Sequence, residues 1–167
     1  MLAAVAVGVA VGGCATGTPV GASPTKHRQE GGITVNHQVS ATLILDSAAV
    51  KAGGVLAGVI TVENRTGEVL HASGCGGIFQ VLLTSESYRP GPVWPACLGP
   101  VTIPTGRSTY PVQVEARYNI CGQGGGLRAC GSGGAPPPLP TGMYEATAFE
   151  LGKVVPIPSP VVVRVTA

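Results

Sequence analysis

Thr109-Tyr110-Pro111-Val112-Gln113-Val114-Glu115-Ala116-Arg117-Tyr118 sets Tyr110, Val112, Val114, Ala116 and Tyr118 on one side of an extended chain and Thr109, Gln113, Glu115 and Arg117 on the other. Side chains of a strand point alternately to opposite faces, so this pattern predicts a half-buried antiparallel strand. Working outward, residues 39–45 (VSATLIL), 55–63 (VLAGVITVE), 78–84 (IFQVLLT), 143–149 (MYEATAF) and 161–166 (VVVRVT) supply further strands. Between them stand turn signals at Gly53-Gly54, Asn64-Arg65-Thr66-Gly67, Pro104-Thr105-Gly106 and Pro140-Thr141-Gly142. The 26 glycines and 15 prolines suit many turns between short strands, and no window sustains a helical period. The expected fold is all-β, an antiparallel β-sandwich, because no stretch between strands has the helical pattern that parallel α/β folds need.

Composition narrows the function. Only 11% of the 167 residues are charged and the net charge is +2, with the cationic residues scattered singly. That distribution lacks the basic patch expected of a nucleic-acid binder. His71 is the only histidine inside the strand-forming region, since His27 and His37 precede it. A Ser/His triad needs nucleophile, base and orienting group to converge, and no G-x-S-x-G elbow is present. Glycine-rich residues 122–134 lack the Lys-Ser/Thr pair of a phosphate-binding loop. The spacing His71-x₃-Cys75 is isolated and no C-x₂-C pair accompanies it, so no metal site is expected. The chain is therefore expected to act without catalysis, metal or cofactor.

The opening run MLAAVAVGVAVGGC is apolar and free of charge, and Val11-Gly12-Gly13-Cys14 is followed by a small, polar stretch, ATGTPVGASPT. This arrangement resembles the lipobox of bacterial lipoproteins. The resemblance implies that residues 1–13 are a signal segment, that Cys14 is diacylated and becomes the N-terminus, and that the protein is anchored in the cell membrane on its extracytoplasmic face. As a transmembrane helix the run is too short, because spanning needs about 20 apolar residues. Residues 14–38, interrupted by Pro19, Pro24 and several glycines, are expected to be a flexible tether, leaving 39–167 as the sandwich domain. Setting Cys14 aside, the even set Cys75, Cys97, Cys121 and Cys130 suits a disulfide framework in an oxidising compartment. Three pairings are possible, and the local one, Cys75 with Cys97 and Cys121 with Cys130, is favoured.

Two motifs sharpen the fold. Leu139-Pro140-Thr141-Gly142-Met143-Tyr144 places a glycine turn before a strand whose second residue is tyrosine, resembling the corner tyrosine of immunoglobulin-like sandwiches. Ile60-Thr61-Val62-Glu63-Asn64-Arg65-Thr66-Gly67 is a strand that runs into an Asn-x-Thr-Gly turn. Asn64-Arg65-Thr66 also matches a glycosylation sequon, a reading that a bacterial setting does not favour. With Phe79-Gln80-Val81, Trp94 after a Pro-rich crossing, and Ile103-Pro104-Thr105-Gly106-Arg107-Ser108-Thr109-Tyr110, the order over about residues 50–150 resembles small bacterial immunoglobulin-like domains, including the BsuPI-type proteinase-inhibitor domain. It is also similar to actinobacterial envelope lipoproteins. These resemblances imply an immunoglobulin-like sandwich, and they leave activity open.

Recognition is expected from two loops. Tyr88-Arg89-Pro90-Gly91-Pro92-Val93-Trp94-Pro95-Ala96-Cys97 combines aromatics and a guanidinium on a proline-stiffened segment that the expected disulfide at Cys97 would staple. For Trp94 itself the favoured expectation is a core position, as for the central tryptophan of immunoglobulin-like sandwiches, with recognition as the alternative. The second loop lies between Cys121 and Pro140, carries Arg128 and ends in Pro136-Pro137-Pro138. The leading expectation is a lipid-anchored module that binds a protein or cell-wall partner through these loops. The alternative is an extracytoplasmic proteinase inhibitor that presents Arg89 or Arg128 on a braced loop. Intact mass of the membrane-extracted protein tests the anchor, and a diacylglyceryl-bearing N-terminus at Cys14 is expected. Cys14→Ser should release the chain into the soluble fraction, and an unprocessed chain with free thiols would contradict the lipobox reading.

Overall fold

The computed structural model describes residues 38–74, 77–94 and 99–167. Among the described residues nine strands appear in chain order: β1 Val39–Leu45, β2 Ala49–Lys51, β3 Val55–Asn64, β4 Leu70–Gly74, β5 Phe79–Thr84, β6 Gly99–Ile103, β7 Gly106–Glu115, β8 Gly142–Glu150 and β9 Val161–Thr166. Among the described residues the only helical element is a single 3-10 turn at Ser132–Gly134. The strands form a three-stranded sheet in the order β1-β3-β7, a four-stranded sheet in the order β2-β9-β8-β5, and a separate β4-β6 pair. The first two sheets contribute Leu56, Ile60, Val114, Val81, Ala146 and Val163 to one buried cluster, so their inner faces pack on each other as a β-sandwich.

The connectivity is immunoglobulin-like. The strand order opens at the edge of one sheet with β1, which breaks at residues 46–48 before the chain joins the other sheet as β2. There it pairs in parallel with β9, Ala49 opposite Arg164. All other ladders are antiparallel. Gly58 permits this switch. It lies opposite Leu45, the last residue of β1, and a Cβ there would fall 2.6 Å from the Ile44 carbonyl oxygen and 2.7 Å from Leu45 Cδ2. A side chain at that point would push β1 off the sheet.

The alternation read from residues 109–118 places Val112, Val114 and Ala116 in the core and Tyr110 against it. Its far end differs from expectation. β7 stops at Glu115 because β3 begins at Val55 and offers no further partner. The Ala116 carbonyl then accepts the N–H of both Gly53 and Leu139, and Tyr118 N–H donates to the Pro137 carbonyl at 3.0 Å. Tyr118 thus belongs to a strap against the polyproline segment and not to the sheet. β2, β4 and β6 are additional to the strands expected from alternation.

Two side chains close the corners. Tyr144 is 8% exposed and its hydroxyl donates to the Pro140 carbonyl, 3.0 Å away, as its motif implies. Asn64 is 1% exposed and every polar atom of its side chain is engaged. Nδ2 reaches the carbonyl oxygens of Glu68 (2.8 Å), Pro104 (3.2 Å) and Ile103 (3.4 Å). Oδ1 accepts from Thr66 N at 3.1 Å and from Thr66 Oγ1 at 2.7 Å. This buried amide is structural, which removes the sequon reading, since a glycan acceptor must present its nitrogen to an enzyme. Asn64→Ala removes a fully bonded buried amide and leaves the buried Ile103 carbonyl without it, and is expected to cost about 2–3 kcal/mol, against about 1 kcal/mol for Tyr144→Phe, in denaturant unfolding.

Candidate functional site

β5 and β7 both end at the same pole of the sandwich, and the segments that follow them lean on each other. Tyr88 folds back beside the end of β5, exchanging backbone hydrogen bonds with Ser85 at 2.7 and 3.3 Å. Its phenol oxygen accepts the backbone N–H of Asn119 at 2.6 Å, while Asn119 Nδ2 donates to the Gly91 carbonyl at 2.8 Å. The two rings meet edge to face, Tyr88 and Tyr118 having centroids 5.0 Å apart. Such pairs contribute about 0.5–1.5 kcal/mol beyond the area they bury. Arg128 completes the group with its guanidinium carbon 5.5 Å from the centre of the Tyr118 ring.

Residues 116–141 are fastened at several points. Arg117 Nη1 donates to the Pro136 carbonyl at 3.1 Å, and Leu139, 1% exposed, plugs into the core. Cys121 and Cys130 form a disulfide, the local pairing expected for them. Within the nine-residue separation it closes, Gly122 N–H donates to the Arg128 carbonyl at 2.9 Å, which holds Arg128 beside Tyr118. Glycines 124, 125 and 126 all have φ between +63° and +84°, a backbone that L side chains rarely adopt. The glycine run therefore serves the tight path between the two cysteines.

Of the residues singled out in the sequence, Tyr88 and Arg128 are brought together, with Tyr118 between them. Arg89 is exposed and turns elsewhere, lining with Pro90, Met143 and Val162 a groove of about 780 Å³ on the outer face of the four-stranded sheet. Trp94 is half-buried and stands outside the set of core residues. Cys14, Cys75 and Cys97 lie outside the described residues. His71 is exposed on β4, and among the described residues no three His, Cys, Asp or Glu side chains gather in a metal-binding group. Sequence reasoning overlooked Asn119, whose side chain and backbone together lock the loops. The only signal was its place just beyond an aromatic strand end.

No family model, curated protein or solved structure matches the chain. The immunoglobulin-like reading therefore stands on strand order, register and the corner tyrosine.

Burial raises the pKa of Tyr88, partly offset by the Asn119 N–H bonded to its oxygen, with Tyr118 nearby adding to the rise. Burial likewise raises Tyr144, helped by Tyr118 and Tyr88. A raised value means that the folded state keeps its phenolic proton longer than the unfolded chain does. The associated stability is fully present below about pH 10 and is lost as pH rises through the folded-state values. Denaturant titrations should show stability falling on that alkaline side, and a Tyr88→Phe/Tyr144→Phe double variant should flatten the fall. An unchanged alkaline slope in the double variant would contradict the assignment.

Proposed function

We propose that the chain is a non-enzymatic, lipid-anchored envelope protein whose immunoglobulin-like sandwich presents the interlocked 88–94 and 116–141 segments to a protein or cell-wall partner. One observation carries this reading: the braced platform and the start of the domain lie at opposite poles. Gln38 accepts the Arg65 N–H at 2.6 Å beside the Asn64 corner, where Val39 pairs with Asn64 and Asn64 in turn with Gly106. The platform follows Thr84 and Glu115, at the far ends of β5 and β7. Strands rise about 3.3 Å per residue, so ten-residue β3 separates the two poles by about 30 Å. A tether from a lipidated Cys14 would enter the domain through Gln38, at the pole away from the platform, so attachment there would not cover the platform.

Rigidity supports the same reading. Loops held by a disulfide, an edge-to-face aromatic pair and fixed hydrogen bonds lose little conformational freedom on binding. The disulfide-braced loop, with Leu127 43% exposed beside Arg128, also favours a second reading as an extracytoplasmic proteinase inhibitor. Against that use, the Arg128 guanidinium is already engaged by Tyr118.

Cosedimentation of the full chain carrying Cys14→Ser with purified bacterial envelopes tests the module. Adding Cys121→Ser and Cys130→Ser, or Tyr118→Ala, should weaken retention by about tenfold, the scale of a lost hot spot. Ile44→Asp, on the opposite sheet's outer face, should leave retention unchanged. Equal loss from Ile44→Asp would overturn the assignment to the platform. Inhibition of a trypsin-type proteinase that disappears in Arg128→Ala would favour the second reading instead.

A further inference from the structure

A second, smaller cavity opens within the platform. It holds about 220 Å³ and lies between the neighbouring edges of β5 and β7. Gln80, Gln113, Glu115, Arg117 and Asn119 line it with planar polar groups, and Tyr88, Tyr118, Pro90 and Pro136 supply apolar wall. We infer that this cleft is a glycan subsite that holds one neutral sugar ring. The inference rests on the platform reading above and names its ligand.

The hydrogen-bond inventory argues for a polyhydroxylated ligand. Gln80 Oε1 accepts the Val93 N–H at 3.0 Å, which fixes the amide and leaves Nε2 as a donor. Asn119 is pinned through Nδ2 to Gly91, which leaves Oδ1 as an acceptor. Arg117 spends one nitrogen on Pro136 and keeps its other donors. The side chains of Gln113 and Glu115 have no hydrogen-bond partner among the described residues. The uncommitted set thus mixes donors with acceptors, and its one carboxylate balances its one guanidinium. A phosphate or other anion would meet Glu115 unfavourably, whereas a hydroxyl both donates and accepts and so matches either kind of neighbour. The ring and proline surfaces suit the C–H faces of a sugar.

Size and access decide against an added peptide strand. Leu151 N–H donates to the Ile78 carbonyl, and antiparallel bonding alternates along a strand, so Val81 and Leu83 turn their backbone groups away from β8 toward the cleft. Those groups are the natural partners for strand addition. Both residues, however, are only 2% exposed. At about 220 Å³ the cleft has room for one ring and is smaller than the usual drug-sized pocket, and ring hydroxyls suit its polar groups as water does.

Amide and side-chain NMR shifts of the full chain carrying Cys14→Ser test this, with methyl glucopyranoside, methyl mannopyranoside, methyl galactopyranoside and N-acetylglucosamine as probes. At least one is expected to bind with a Kd of about 1 mM, the strength of a single-ring contact. Shifts should centre on Gln80, Gln113, Glu115 and Asn119. Gln113→Ala and Glu115→Ala, whose side chains make no internal bond, should each weaken binding by about threefold to tenfold without lowering the unfolding midpoint. No shift with any sugar while envelope cosedimentation persists overturns the glycan assignment and leaves the platform standing. Loss of both removes both. Shifts produced by an extended peptide and by none of the sugars would overturn the inference in favour of strand addition.

Discussion

The buried amide of Asn64 is the constraint from which the rest of the sandwich is organised. One side chain gathers the carbonyls of Glu68, Ile103 and Pro104, so the end of β3, the turn that follows it and the β6–β7 corner are held at a single point. Because the Asn64 amide and Ile103 are buried, a bond lost between them carries the cost of desolvation, whereas the Glu68 and Pro104 carbonyls belong to exposed residues. The same corner receives the start of the domain through Gln38 and Arg65. It also fixes the register of β3, and β3 carries the register outward to β1 and β7. A slip of one residue would turn Ile60 and Val62 to solvent.

The two poles are stabilised by different physics. Around Asn64 the restraint is a saturated polar network inside the fold. At the platform the chain is long, rich in glycine and mostly exposed, so burial contributes little. There the restraint is a covalent bond between Cys121 and Cys130, a strap of hydrogen bonds from residues 116–118 to residues 136–139, and aromatic contacts. A disulfide acts chiefly on the unfolded chain and demands little of the surrounding packing. That allows the platform to keep an open cleft and uncommitted polar groups, which a close-packed core would not tolerate.

Much of this was legible in the sequence where one face of a strand is buried. The alternation in residues 109–116 and the short apolar runs gave β1, β3, β5, β7, β8 and β9, because burial on one side leaves a period of two. β2 has three residues, too few to show a period. β4 and β6, reading LHASG and GPVTI, carry Gly, Ser and Pro that argue against a strand, and their pairing with each other overrides local propensity. The corner role of Tyr144 could be read from turn chemistry, which is local, whereas for Asn64 only the turn could be read, because its buried amide reaches carbonyls 39 and 40 residues away. The platform could be read only in part. Tyr88 and Arg128 stand out by residue type, but their link through Tyr118 and Asn119 joins positions 31 residues apart and depends on how two loops meet.

Composition and geometry agree on how such a surface would recognise a ligand. With 11% charged residues and a net charge of +2, the chain creates no strong long-range field, so electrostatic steering contributes little to encounter. Discrimination must come from contacts made at close range. The platform is equipped for that, since Gln80 and Asn119 are each held by one polar atom with the other uncommitted, and Tyr88 and Tyr118 fix each other's orientation. Hydrogen bonds from pre-set neutral groups penalise a ligand that leaves one of them unpaired more than they reward one that fits, so the cleft favours selectivity over affinity. Weak single-site binding of this kind becomes effective when many copies share one surface, and the lipid anchor proposed at Cys14 would supply that multivalency by holding copies in one membrane plane.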